Sequence, residues 1–396
     1  MLLHRVPLVL AASFLAWQGC LLEDDKSVDV TDPLDTTVSE VEDPSTWDFH
    51  GPEGVVASGG YVFVANTAFD GSDGSYGTGF VTVVRQSDFA VVNKVTTTQR
   101  NPQALIAHDD KVYVLCSGTT DYDDAKKLVT PTSDGSLEAI DVPTAATAFA
   151  PQTVIQLPRS TGNPLVGYPS SLAFSADGQF AYAGSGTTAA LFKVDLETNK
   201  VLRGAIDPIV LGDLASTDSI AVATGPDEVI FAGSFNRDQV FAVDTSTDLK
   251  ATNPFQVIDA GKTGNMDGVL HMVYRDTGVP DLFVLLGLAS VVQGVTTAMG
   301  QAGVEFLLNT ETYPNRLAVH GDTLYVVNSG NNNVTAMTIS SRESLGRVAI
   351  FEPGTNPYEL TVADKDGSTV LYVTGFSTNA LYEVDPDSGS ILRVAQ

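Results

Sequence analysis

The sequence predicts an all-β chain, a seven-bladed β-propeller with four antiparallel strands per blade. Three observations carry that prediction. First, a short alternating strand with an aromatic residue near its start recurs seven times. Tyr61-Val-Phe-Val-Ala-Asn-Thr, Leu324-Tyr-Val-Val-Asn-Ser-Gly and Leu371-Tyr-Val-Thr-Gly-Phe-Ser are three copies, and others begin at Val112, Phe180, Val229 and Leu282. Second, about ten residues before each copy lies another short apolar strand, often introduced by proline; its anchors fall at positions 52, 102, 169, 217, 266, 314 and 357. Third, 35 glycines, 43% hydrophobic and only 17% charged residues describe a turn-rich β chain, not a helical or disordered one. Four short strands in a repeat of this length suit a propeller blade, because radial packing buries both blade faces and leaves only short edges.

Taken in order, residues 1–19 stand outside this pattern. His4 and Arg5 form a basic start, Val6 to Trp17 is an apolar run of twelve, and Gly19-Cys20 closes it. The run suits a signal peptide and is too short to cross a bilayer. Residues 20–48 hold ten acids and one base, Lys26, without hydrophobic periodicity. Like charges extend such a segment, so an acidic disordered tether is expected. The propeller is expected over 49–396, itself acidic with 38 acids against 19 bases.

Within a blade the first strand ends at a turn such as Ser175-Ala-Asp-Gly-Gln or His320-Gly-Asp-Thr, and the aromatic strand follows. A third strand comes next, as in Ala190-Leu-Phe-Lys-Val-Asp or Gln239-Val-Phe-Ala-Val-Asp, and a fourth closes the unit, as in Ser390-Ile-Leu-Arg-Val. Blade 5, about 265–312, keeps the pattern least well. The last repeat supplies four strands of its own, and Trp47-Asp-Phe-His50 is available to pair onto its outer edge and help close the ring.

A net charge of −27 argues against nucleic-acid binding, which needs a basic face. Two cysteines cannot build a disulfide scaffold, a Cys₄ zinc site or an iron–sulfur cluster. No Gly-x-Ser-x-Gly elbow, P-loop, dinucleotide fingerprint or haem-attachment motif is present. Cys116 follows Leu115 in a strand, which suits a buried thiol. His108 and His320 occupy equivalent turns on the face away from the channel mouth, and His271 lies within an innermost strand.

The aromatic strands closely resemble the YVTN-type β-propeller repeat, best at Tyr61–Asn66, Leu324–Asn328 and Leu371–Thr374, with the Val-Asp-Thr ending at Val243-Asp244-Thr245. The resemblance covers about 51–396. It implies a ligand-binding face at the central channel, built by the two residues after each anchor. The candidates there are Glu53, Gln103, Asp218, Asp267, Asn315, Arg316, Tyr358 and Glu359. Gly19-Cys20 resembles the lipobox of bacterial lipoproteins, with Trp17 and Gln18 replacing its usual residues; this implies lipidation at Cys20. Leu21 after the cysteine resembles Gram-negative sorting to the outer membrane.

Two long loops in adjacent blades, 66–79 and 117–135, carry Asp70, Asp73, Asp121 and Asp123. Asp–Gly runs supply carboxylates and carbonyls on a flexible backbone, so a Ca²⁺ site is a candidate, though no EF-hand spacing is present. The expected function is a lipid-anchored envelope module that binds a protein, glycan or other envelope ligand. The alternative is a metal-dependent, lactonase-like hydrolase on the channel face, as some relatives of the repeat family are; Glu53, Asp218, Asp267 and Asn315 would then converge.

Overall fold

The computed structural model describes residues 47–71, 74–123, 128–142, 151–156, 168–251, 255–256, 266–297 and 303–396. The signal peptide expected over 1–19, lipidation at Cys20 and the 20–48 tether up to residue 46 fall outside these residues. The described residues contain no helix and form seven antiparallel blade sheets. Blade 1 shows the plan: Pro52–Ser58, Tyr61–Asn66, Phe80–Arg85 and Val91–Thr96 lie side by side in chain order. The remaining innermost strands are Pro102–His108, Pro169–Phe174, Ile220–Thr224, Val269–Tyr274, Pro314–His320 and Pro357–Lys365. The long loops of blades 1 and 2 each fold into a small extra hairpin, Phe69–Asp70 with Ser75–Tyr76, and Thr120–Asp123 with Leu128–Pro131.

The aromatic strands are apolar on both faces because both faces are covered. In Tyr61–Asn66 every residue after the first is buried. Apolar clusters fill each junction between successive blades, for example Phe63, Val81 and Val83 of blade 1 against Leu105, Val112 and Val114 of blade 2. The seventh junction joins Tyr372 and Leu381 of blade 7 to Val62 and Val64 of blade 1, so the ring closes. Each such aliphatic side chain contributes roughly 1.5–3 kcal/mol on burial.

The asparagine ending the best repeats is a brace. Asn66 Nδ2 donates to Val64 O at 3.0 Å and Thr82 Oγ1 at 3.0 Å, while its Oδ1 accepts His50 N–H at 2.9 Å. Asn328 repeats the pattern with Val326 O and Thr335 Oγ1. The aspartates ending the third strands fold the next turn: Asp195 accepts the amides of Glu197 and Thr198, and Asp244 those of Ser246 and Thr247. Hydrogen bonds from Ser246 and Thr247 pull the Asp244 carboxyl down to about 2.

Ring closure differs from expectation in one respect. Residues 47–50 form no strand on blade 7 and run instead along blade 1, where Lys94 Nζ donates to Trp47 O at 3.0 Å and Thr82 Oγ1 to Asp48 O. Their part in closure is apolar: Phe49, 2% exposed, enters the blade 7–blade 1 cluster. The outer edge of blade 7 needs no borrowed strand because Ser390–Ala395 already occupies it. Polar latches add to the seam. Asn379 Oδ1 accepts Gly51 N–H at 2.8 Å, and Thr374 Oγ1 donates to Glu53 O at 2.9 Å. Arg393 donates to Gln86 O at 2.8 Å and lies over the Phe89 ring.

Candidate functional site

The channel mouth is built by a backbone device repeated around the ring. The residue before the anchor is in the left-handed region at Gly51, Asn101, Tyr168, Gly268, Tyr313 and Asn356, with φ between 51° and 74°. Immediately afterwards the pairing register slips, as between Pro102 and Ala104 or Pro314 and Arg316. Such bulges re-aim side chains. The second residue after each anchor is then Gly54, Ala104, Ser171, Val222, His271, Arg316 and Glu359. Three consecutive blades present long polar side chains, and the other four present small or short ones. The unfilled space opposite becomes a cavity of about 270 Å³, lined near the mouth by Gln103, Ser171, His271, Arg316, Tyr358 and Glu359 and deeper down by Ile106, Ala223 and Val273.

The charges at this mouth are poorly compensated. Arg316 Nε and Glu359 Oε2 are 4.0 Å apart, close enough for attraction but beyond hydrogen-bonding distance. Arg316 Nη1 donates to Asn315 O at 3.1 Å, and the guanidinium lies 5.5 Å from the centre of the Tyr358 ring. Glu53 is 3% exposed, and its Oε2 has no hydrogen-bond partner. Burial, reinforced by the like charge of Glu359, pushes the Glu53 carboxyl up to about 8, while Arg316 and the Tyr358 hydroxyl pull the other way. Burial pushes Glu359 up to about 7 against the pull of Arg316. His271 is forced down to about 3 by burial and by Arg316, so its ring is neutral near pH 7. Its Nδ1 accepts Leu317 N–H at 3.4 Å, leaving the proton on Nε2.

An aromatic and amide layer covers this cluster. Tyr168 receives hydrogen bonds from Asn101 Nδ2 at 2.8 Å and Gln103 Nε2 at 3.0 Å, and its hydroxyl meets that of Tyr76 at 3.1 Å. Tyr76 belongs to the blade 1 hairpin, whose Phe69 packs on Phe376, which in turn packs on Tyr358. Burial and the nearby Tyr168 and Glu53 raise the Tyr76 phenol well above its ordinary range.

The sequence-based candidates divide. Glu53, Gln103, Arg316, Tyr358 and Glu359 come together at the mouth. Asn315 is adjacent but structural, bonding Ser329 Oγ, which donates to Pro357 O of the next blade at 2.6 Å. Asp218 and Asp267 do not belong to the mouth. The repeated amide bond Phe235 N→Ser219 O matches Thr67 N→Gly51 O, and Gly287 N→Gly268 O matches it too; the anchors of blades 4 and 5 are therefore Ile220 and Val269. Positions 217 and 266 lie three residues too early, because these blades lack the proline that marks the others. Asp218 instead accepts Ser234 Oγ at 2.6 Å and Asn236 N at 3.1 Å, and Asp267 N donates to Asp238.

The corrected register brings in His271, which the misplaced anchor hid. A regular spacing could have corrected blade 4, since Pro52 pairs with Asn66, Pro102 with Cys116, Pro314 with Asn328 and Ile220 with Ser234, each fourteen residues apart; in blade 5 Val269 pairs with Leu286, seventeen residues on, so that spacing did not point to His271. Tyr76 and Tyr168 carried no signal, since both arrive from loops. Of the Ca²⁺ candidates, Asp70 lies in the blade 1 hairpin and Asp73 outside the described residues; Asp121 and Asp123 fall in the blade 2 hairpin strand, with only their backbone described. Cys116 is buried, and burial beside Glu138 raises its thiol well above the ordinary value.

Solved structures share this architecture. Virginiamycin B lyase from Staphylococcus aureus is 13% identical, with 84% of this chain and 94% of that one covered and a TM-score of 0.57. A streptogramin B lyase is 11% identical, with 84% and 93% covered and a TM-score of 0.58. A protein of unknown function from Desulfotomaculum acetoxidans is 15% identical, with 80% and 91% covered and a TM-score of 0.54. No family model and no curated protein sequence matches the chain. At these identities the similarity establishes the propeller fold, and function rests on the site itself.

Proposed function

We propose that this chain is a lipid-anchored cell-envelope β-propeller that serves as a binding module, with the channel mouth as its ligand site. One observation carries the reading: buried Glu53 meets the largely buried Arg316 and Glu359, the latter two on the wall of a cavity, without the three hydrogen-bonding one another fully. Burying ionisable groups costs several kcal/mol each, and a ring needed only as a scaffold is better served by an apolar plug. Convergent polar groups in a concave, partly apolar pocket with perturbed protonation are the usual mark of a ligand site. Cys20 as a lipidated N-terminus, the acidic segment from there to residue 46 as a tether and outer-membrane residence complete the proposal, together with membership of the YVTN-type repeat family. A protein or glycan of the envelope is the partner class.

The test has two parts. Cys20→Ser is expected to move the chain from the membrane fraction to the soluble fraction of the cell. The wild-type chain, immobilised and exposed to solubilised envelope, is expected to retain a component that the Arg316→Gln variant does not. Equal retention by both chains would refute the mouth as the site. The alternative, a metal-dependent hydrolase, has less support: among the described residues no group of three His, Cys, Asp or Glu is placed to hold a metal ion.

A further inference from the structure

The chemistry of the mouth narrows the ligand. Arg316 carries five N–H donors in a planar fork. It donates to Asn315 O, lies against the Tyr358 ring, and stops short of hydrogen-bonding Glu359. A cationic fork therefore lines the cavity with no carboxylate in hydrogen-bond contact. In the neighbouring blade His271 is fixed through Nδ1 by Leu317 N–H, which makes Nε2 a second donor on the cavity wall. Across the channel the cavity wall is made by the short side chains of Ala104 and Ser171. Below the polar ring the wall turns apolar at Ile106, Ala223 and Val273.

We propose that the channel mouth takes a small monocarboxylate, its head group held by Arg316 and His271 and its short aliphatic part lying down the apolar channel. This rests on reading the mouth as a binding site. A planar monoanion matches the guanidinium fork bidentately. A cation would be repelled by Arg316, and a phosphate dianion would bring two charges to one guanidinium beside two glutamates. Glu53 and Glu359 oppose a monoanion least, because their raised carboxyls hold protons near neutrality and a protonated carboxyl donates a hydrogen bond. Glu53 Oε2 is buried and without a hydrogen-bond partner. The cavity, about 270 Å³, equals roughly nine water volumes, which suits a chain of a few carbons.

The test is calorimetric titration of the full chain with acetate, butyrate and hexanoate at constant ionic strength, with n-butylammonium and inorganic phosphate as controls. Saturable binding that tightens from acetate to butyrate is expected, with none for the two controls. Arg316→Gln is expected to weaken butyrate binding by roughly tenfold to a hundredfold, the value of a charge-assisted hydrogen bond. If Arg316→Gln does not fold, as judged by near-ultraviolet circular dichroism, His271→Gln takes its place and is expected to weaken binding about tenfold. The proposal is overturned by absence of saturable binding for all three acids, by equal binding of butylammonium, or by a folded variant that binds as wild type. Retention of an envelope component without carboxylate binding would overturn this inference and leave the binding-module reading standing. Loss of both would overturn both.

Discussion

Arg316 and Glu359, on the innermost strands of adjacent blades, hold their charged ends 4.0 Å apart with side chains only 14% and 17% exposed. The pair is near enough to bias each other's protonation and too far apart to satisfy each other. That relationship makes the channel mouth, proposed above as a ligand site, a weak point of the fold.

The weakness has a pH signature. Glu53 and Glu359 release their protons near 8 and 7 in the folded chain against an ordinary 4.5. Between about 4.5 and 8 the folded state therefore binds more protons than the unfolded one, and stability falls as pH rises. His271, lowered from 6.5 to about 3, acts oppositely below 6.5, where only the unfolded state protonates it. Arg316 stays charged throughout, and the phenols of Tyr76 and Tyr358 remain protonated. The melting temperature is expected to fall from pH 5 to pH 8, most steeply above pH 6.5. Glu359→Gln should flatten the slope and stabilise the chain at pH 8 by on the order of 1–3 kcal/mol. An unchanged slope in thermal melts across that range would contradict the shifts.

Ring closure depends on Arg393. It pairs with Glu383, which is 2% exposed, and bonds blade 1 through Gln86 O. Lys365 remains 3.0 Å from Glu383 after its removal. Arg393→Ala is expected to cost about 1–3 kcal/mol, since the buried acid keeps one partner. Urea denaturation gives the magnitude, and hydrogen exchange should quicken first in blades 7 and 1.

Tyr76 covers the mouth through its hydroxyl contact with Tyr168. Tyr76→Phe removes only that contact and should cost about 1 kcal/mol. Tyr76→Ala removes the cover as well, and the association rate of any mouth ligand should rise while its residence time shortens. Stopped-flow binding of the two variants separates these effects.

Cys116 is buried beside Glu138, which already accepts Thr98 N–H at 2.9 Å and Ser136 Oγ–H at 2.8 Å. A neutral, enclosed thiol is a poor nucleophile. It should stay silent to a thiol reagent in the native chain and react once on unfolding, giving a direct readout of blade 2 opening.

The acidic loops can be tested apart from the channel. Ca²⁺ held by Asp70, Asp73, Asp121 and Asp123 would raise the melting temperature by mass action, reversibly with EDTA, and Asp70→Asn would remove the rise. No rise would dismiss the site.

Sequence alone determined the number of blades, their strand order and the self-contained last blade, because alternation, turn residues and repeat length are local properties of the chain. It also placed Glu53, Gln103, Arg316, Tyr358 and Glu359 at one mouth, since proline marks the anchor in five blades. It failed at Ile220 and Val269, where no proline marks the register, and so put Asp218 and Asp267 in place of His271. Only the tertiary structure decided that Tyr76 and Tyr168 cover the mouth, that residues 47–50 follow blade 1, and that Arg316 and Glu359 fall short of a hydrogen bond. Those outcomes depend on a backbone slip of one residue and on distances across different blades. Neither is encoded in the spacing of residues along a strand; both arise when seven sheets pack around one axis.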